Sequence, residues 1–357
     1  MKKSITLLFI AFAFVQCRTA KLTSTSISAT VTDENCIACF DAKLEKATCE
    51  TSAIVFDGKK ILIANDKDMP DGHTSVFYYE GKTLSADTTQ RHYLKSEVFK
   101  WAKKYEDFAI TPDKKLVFLS TGFDRVKDNS TEMDAYNTIL YWQNGDEENP
   151  KVLSSTDGAK NSVELRSQIA KVLANDDFKD GMPYYKIEGL AATNEHLYFG
   201  VREIGKSFKT PQYVAKVIEV PYVFENGKVK LTGEMKLICD FNTNAQPAVK
   251  ANLGLSSIEY DSFNKRFVIL TSYENGDKLG AYIWTATPNE LRNSQLHVVK
   301  DANNQPLFIE TKAEDVAVID KNTLYLINDD DRVKTKVAGK TRELNQAAYQ
   351  VLKLKNH

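Results

Sequence analysis

The sequence predicts an all-β chain folded as a five-bladed β-propeller. Three observations carry this reading. One two-strand motif recurs five times beyond residue 50, each copy turns at residues suited to a tight hairpin, and both strands of each copy are near-continuous apolar runs. Strands of that kind are buried on both faces. Four-stranded units of roughly 40–50 residues around an axis meet this requirement, because each blade is covered by its two neighbours. The alternative architecture is an open all-β array or sandwich.

In chain order, the first copy pairs Thr51-Ser-Ala-Ile-Val-Phe56 with Ile61-Leu-Ile-Ala-Asn-Asp66 across Asp57-Gly58. The second pairs Glu106-Asp-Phe-Ala-Ile110 with Leu116-Val-Phe-Leu-Ser-Thr121 across Pro112-Asp113. The third pairs Glu188-Gly-Leu-Ala-Ala192 with Leu197-Tyr-Phe-Gly-Val-Arg202 across Asn194-Glu195. The fourth pairs Ser256-Ser-Ile-Glu-Tyr260 with Phe267-Val-Ile-Leu-Thr-Ser272 across Asn264-Lys265. The fifth pairs Glu314-Asp-Val-Ala-Val318 with Leu324-Tyr-Leu-Ile-Asn-Asp329 across Lys321-Asn322. Weaker strands follow each hairpin, as at Ser75–Tyr79, Thr138–Trp142, Tyr213–Val220, Lys228–Cys239, Ala281–Trp284 and Gln295–Val299.

The copies are irregularly spaced, so loops carry insertions. The longest gap holds a helix-like stretch, Ser162–Leu173, with Val163, Leu165, Ile169 and Val172 on one face. A sixth blade has room only between Leu140 and Lys186. After Asp329 the chain offers one clear strand, Ala347–Leu354, so the last blade lacks its outer strand. The sequence predicts that an N-terminal strand, drawn from Ala42–Thr48, closes the ring there and removes an open edge.

The N-terminus reads as a processing signal. Lys2 and Lys3 precede an apolar run from Ile5 to Val15, too short to span a bilayer but suited to a signal peptide. Cys17 directly after the run predicts a lipoprotein: residues 1–16 are removed and Cys17 is lipid-anchored in the cell envelope, with plain secretion as the alternative. Residues 17–39, rich in Thr, Ser and Ala, read as a tether, and residues 40–357 as one propeller domain. Export permits disulfides among Cys36, Cys39, Cys49 and Cys239, whose three pairings the spacing does not separate. Cys36-Ile37-Ala38-Cys39 lacks the second pair or nearby His that a metal site needs.

Lys and Arg number 47 against 48 Asp and Glu, for a net charge of −1, which argues against a nucleic-acid partner. Only five His are present, so a multi-His metal site is excluded. His73 and His92 lie in polar, loop-like contexts. Trp101, Trp142 and Trp284 read as packing between blades. Serine-hydrolase, zincin, Walker and dinucleotide motifs are absent.

The start of each first strand and the end of each second strand share one face. Thr51 or Ser52, Glu106, Glu188, Ser256 or Ser257, and Glu314 should therefore ring one mouth of the central channel, beside Asp66, Thr121, Arg202, Ser272 and Asp329. Three Glu converging on an axis repel one another, which raised pKa values or a bound cation would relieve. Carboxylate and hydroxyl oxygens suit calcium. Arg202 either holds an anionic group or neutralises Glu188 or Glu203. The Asp329-Asp330-Asp331 run is a second, weaker calcium candidate, or a solvated loop.

The order hydroxyl, Glu, Glu, hydroxyl, Glu resembles the calcium-dependent apyrase (calcium-activated nucleotidase) family. Ser52-Ala-Ile-Val-Phe-Asp-Gly-Lys59, and Ile187-Glu-Gly-Leu-Ala191 followed by His196-Leu-Tyr-Phe199, look alike too. That family consists of five-bladed propellers that hydrolyse nucleoside di- and triphosphates at one central calcium. The same style of motif occurs in gluconolactonase-like and phytase- or esterase-like propellers, which also use a central metal. The match covers the hairpins alone. It implies a calcium-centred propeller, with calcium held by Thr51, Ser52, Glu106, Glu188, Ser256, Ser257 and Glu314, but does not place the family's catalytic loops in this chain; the charged residues of the mouth themselves make Glu188, Arg202, Asp66 and Asp329 the catalytic candidates. The partner implied is a small anionic or ester substrate met by a monomer. The competing expectation is a non-catalytic envelope protein that binds a ligand or protein partner through the same mouth.

Overall fold

A computed structural model describes residues 27–41, 47–127, 129–246, 249, 252–275, 278–330, 333 and 335–356. The proposed signal peptide and Cys17 lie outside the described residues. Strand β1 (Ile27–Ala38) comes first. Blade 1 is β2 (Thr51–Phe56), β3 (Lys60–Asn65), β4 (Val76–Glu80) and β5 (His92–Tyr93). Blade 2 is β6 (Tyr105–Ile110), β7 (Leu116–Thr121), β8 (Ile139–Gln143) and β9 (Lys151–Val152), followed by α1 (Arg166–Val172). Blade 3 is β10 (Tyr184–Ala192), β11 (His196–Gly205), β12 (Gln212–Glu225), β13 (Lys228–Leu231) and β14 (Lys236–Phe241). Blade 4 is β15 (Gly254–Asp261), β16 (Arg266–Asn275), β17 (Lys278–Ala286), β18 (His297–Val298) and β19 (Phe308–Ile309), with α2 (Pro288–Arg292) inserted. Blade 5 holds β20 (Ala313–Asp320) and β21 (Thr323–Asn328), then a small hairpin of β22 (Lys336–Val337) and β23 (Lys340–Thr341), and finally β24 (Gln346–Asn356). All blade pairings are antiparallel.

Five blades therefore close the ring, and the Leu140–Lys186 stretch holds β9 and α1 rather than a sixth. The fifth sheet runs β1-β24-β21-β20, so an N-terminal strand does supply the outer edge. Its position corrects the expectation. Ile27–Ala38, which the composition assigned to the tether, is the closing strand, and residues 42–46 lie outside the described residues. An edge strand needs only backbone partners and one buried face, and the residues of β1 between Thr30 and Cys36 are exposed. A stretch rich in Thr and Ser meets that requirement as well as it would make a linker. Cys39 and Cys49 form a disulfide just beyond this strand, while Cys36 and Cys239 are free.

The core is divided among the blade junctions. One apolar cluster lies between blades 1 and 2 (Val55, Leu62, Phe108, Trp142) and another between 2 and 3 (Phe118, Tyr185, Leu190, Phe199). Further clusters join blades 3 and 4 (Val217, Ile258, Trp284), 4 and 5 (Leu270, Val316, Leu352), and 5 and 1 (Ile327, Ile54, Phe77). Alternate residues of one inner strand thus serve opposite neighbours, which explains the unbroken apolar runs. Helix α1 sets Ile169, with flanking Leu165 and Leu173, into the junction of blades 2 and 3. Trp142 and Trp284 are buried as expected, but Trp101 is 37% exposed. Among the described residues no helix is long and apolar enough to cross a membrane.

Candidate functional site

Every inner strand carries a β-bulge at the same place. The ladder skips one residue in each: Ser52, Glu106, Glu188, Ser256 and Glu314. A bulge locally re-aims side chains, and here it turns the same repeat position of all five blades toward the mouth. It also settles the register. Ser52 and Ser256 are the equivalents of the three Glu. Thr51 belongs one position earlier, with its hydroxyl on Asn328 O (3.4 Å), and Ser257 one position later, bonded to Asp315 (2.6 Å).

The same register aligns two further rings. Two residues before each bulge stand Glu50, Lys104, Lys186, Gly254 and Lys312. One residue past the ladder partner of the residue that precedes each bulge stand Asp66, Gly122, Arg202, Ser272 and Asp329. Thr121 instead turns to the third strand, bonding Tyr136 O at 2.7 Å.

The three Glu do converge, but none is bare. Lys104 pairs with Glu106, Lys186 with Glu188, and Lys312 with Glu314 at 2.7 Å. Lys186 also reaches Glu106 (3.4 Å), joining blades 2 and 3. The bulge at each Glu turns its carboxylate back to the Lys two residues before it. Arg202, 2% exposed, reaches Glu188 (3.1 Å) and donates to Ser256 (3.0 Å) and Ser272 (2.9 Å), with Tyr213 under its guanidinium. Gly254 makes this path: a Cβ there would lie 2.6 Å from Arg202 Cγ. Burial opposes ionisation of Glu188, but Arg202 and Lys186 outweigh it and hold the carboxyl at about 2. Burial raises Glu314 above the usual range, with Lys312 opposing and Glu188 reinforcing.

The opposite flank of the mouth is acidic. Carboxyl oxygens of Glu50, Asp66 and Asp329 all lie within 4.8 Å of one another. Burial, moderated by Lys104 and reinforced by Glu106, lifts Asp66 to about 7. Its Oδ1 is buried without a hydrogen bond. Lys67, more than half exposed, sits 2.8 Å from Glu50 and 3.8 Å from Asp66, where a cation belongs. Burial opposes the charge on Glu50, yet Lys67 and Thr48 keep it below the usual range. Asp330 is engaged elsewhere, accepting from Lys312 N (3.0 Å) and Thr335 (2.5 Å), and Asp331 lies outside the described residues.

The seven residues expected to ligate calcium are thus brought to one end of the channel, but their groups are occupied: the Glu by lysines, Ser52 by Tyr105 O (2.5 Å), and Ser256 by Arg202 and Ser272. That set does not fit a cation. A second candidate donor set is Glu50, Asp66 and Asp329, in which Lys67 and Thr48 engage Glu50 while Asp66 Oδ1 accepts no hydrogen bond; Asp66 and Asp329 are catalytic candidates from the sequence, and Glu50 is one that sequence reasoning missed. The recurring Lys-x-Glu of Lys104, Lys186 and Lys312 was equally readable and missed. His73 and His92 are remote from the mouth, on the outer part of blade 1, stacked on Tyr93 (4.2 Å) and Tyr78 (5.1 Å).

No protein-family model and no curated protein sequence matches the chain. Among solved structures, it is similar to the PQQ-bound aldose sugar dehydrogenase of Streptomyces coelicolor, with 13% identity, coverage of 92% of this chain and 99% of that one, and a TM-score of 0.41. A glycosyl hydrolase from Bacteroides ovatus (11%, 85% and 83%, 0.41) and a thermostable family-43 glycoside hydrolase (9%, 87% and 93%, 0.40) are similar to the same degree. Likeness at this level assigns the chain neither a chemistry nor a ligand.

Proposed function

We propose that this protein is an exported, calcium-binding propeller that hydrolyses a small phosphorylated or ester substrate at its channel mouth. The observation that carries the reading is the convergence of Glu50, Asp66 and Asp329 beside a basic flank that includes Arg202. Their all-oxygen donors suit a hard cation, and the buried Asp66 Oδ1 is an acceptor in want of a partner. The resemblance to calcium-activated nucleotidases supports calcium; the lysine pairing of Glu106, Glu188 and Glu314 favours the flank over the axis for it. Calcium there would polarise a phosphoryl or ester oxygen. Lys104 and Arg202 would attract the anionic group, and Asp66 would take a proton from water.

A second reading, a non-catalytic envelope module that binds a ligand or protein partner, is favoured by the ion pairing of all three Glu with lysines, which leaves them engaged with the protein itself. We read residues 1–16 as a signal peptide and Cys17 as a lipid anchor to the envelope, with secretion as the alternative, and the protein as a monomer.

Calcium titration followed by thermal melting, with phosphate release from a nucleotide panel and hydrolysis of lactones and esters, separates the readings. Calcium-dependent stabilisation with turnover supports the hydrolase. Stabilisation without turnover supports the binding module. Melting insensitive to calcium overturns the metal site.

A further inference from the structure

One residue past the bulge, blades 2 and 5 carry Asp107 and Asp315, both buried on the channel axis side of the ring. Asp107 Oδ2 accepts from the backbone N–H of Leu190 in blade 3 (2.6 Å) and of Ile258 in blade 4 (3.4 Å). Asp315 Oδ2 accepts from Ile54 N in blade 1 (2.6 Å), and its Oδ1 from the hydroxyl of Ser257 in blade 4 (2.6 Å). Ile54, Leu190 and Ile258 hold the same repeat position, two residues after the bulge, on the inner edge strand of each blade, where alternate N–H groups point away from the second strand and must be satisfied elsewhere. The Asp315 carboxyl stands near enough to Asp107 to oppose a second negative charge there.

We infer that Asp107 and Asp315 form a clasp across the channel that fastens the inner strands of all five blades and closes the channel beneath the mouth. The site is then a blind recess open on one side, and a ligand must arrive and leave by the mouth. Burial, with Asp315 and Glu259 nearby, drives the Asp107 carboxyl well above the usual carboxylate range. Burial likewise raises the Glu259 carboxyl well above its usual range, with Lys114 opposing.

The test is amide hydrogen exchange on the full chain, resolved at single residues. Asp107→Ala should accelerate exchange at Leu190 and Ile258 by on the order of 100-fold and leave Ile54 slow. Asp315→Ala should do the reverse. Asp107→Asn keeps an acceptor oxygen for both amides, so it should retain wild-type protection at all three. Uniform acceleration of every amide in both alanine variants, or no local change in either, overturns the clasp. Should the alanine variants fail to fold, loss of protection at Leu190 in Asp107→Asn overturns it equally.

Discussion

Two flanks of one mouth present the same repeat positions and fill them with opposite charge. Two residues before the bulge, blade 1 has Glu50 where blades 2 and 3 have Lys104 and Lys186. One residue past the partner of the residue before the bulge, blades 1 and 5 have Asp66 and Asp329 where blades 2 and 3 have Gly122 and Arg202. The basic flank is internally satisfied, since each cation sits on a carboxylate of its own or the next blade. In the acidic flank three carboxyls share one small volume, with the exposed Lys67 beside Glu50 and Asp66. A repeat that is symmetric in its backbone can thus divide its chemistry around the ring by substitution at two positions per blade.

The largest effect should come from the basic flank. Arg202→Ala leaves Glu188 and its hydroxyl partners buried with one cation fewer, and should cost about 3–5 kcal/mol in urea unfolding. A cost under about 1 kcal/mol would show that the flank is held by packing alone. Next comes Gly254→Ala, which drives a methyl into Arg202 Cγ and should cost about 1–3 kcal/mol by the same measurement. In an Arg202→Ala background most of that cost should vanish, because the two changes share one contact.

Acid should act through the same flank. The folded-state carboxyl of Glu188 lies below its ordinary 4.5, at about 2, so its stabilising contribution is present above pH 4.5 and lost as pH falls toward 2. Unfolding free energies measured across that window should fall steeply for the wild type and more gently for Glu188→Gln. Parallel curves would break the assignment.

The smallest effect on the calcium-free protein should come from the acidic flank. Glu50→Gln should change stability by less than about 1 kcal/mol, since Lys67 is mostly exposed. It should nevertheless abolish the calcium-dependent rise in melting temperature, a rise worth about 2.7 kcal/mol at 100 times the dissociation constant. Glu106→Gln should keep that response. The reverse outcome would move the cation to the axis.

Much of this was legible in the sequence. The five hairpins announced themselves because doubly buried strands must be apolar throughout, and Glu106, Glu188, Glu314 and Arg202 stood out as polar residues at their ends. Glu50 did not, because it occupies a lysine position one step outside the apolar run. The bulge that equates Ser52 with Glu106 is a ladder irregularity with no side-chain signature. Strand β1 was hidden for a different reason: its partner, β24, lies at the other end of the chain, and no local pattern records a pairing of that span. Asp107 and Asp315 read as ordinary strand-opening polar residues until their acceptors met amides from other blades.

The direction of β1 has a consequence for orientation. Ala38 pairs with Gln346, near the mouth, and Ile27 with Asn356, at the far face. Ile27, the first described residue, therefore lies on the side opposite the site. A lipid anchor at Cys17, as proposed above, would lie at most about 35 Å of extended chain from Ile27. Such a leash would hold the far face toward the bilayer and turn the mouth outward, to meet solutes arriving from the aqueous side rather than molecules embedded in the membrane.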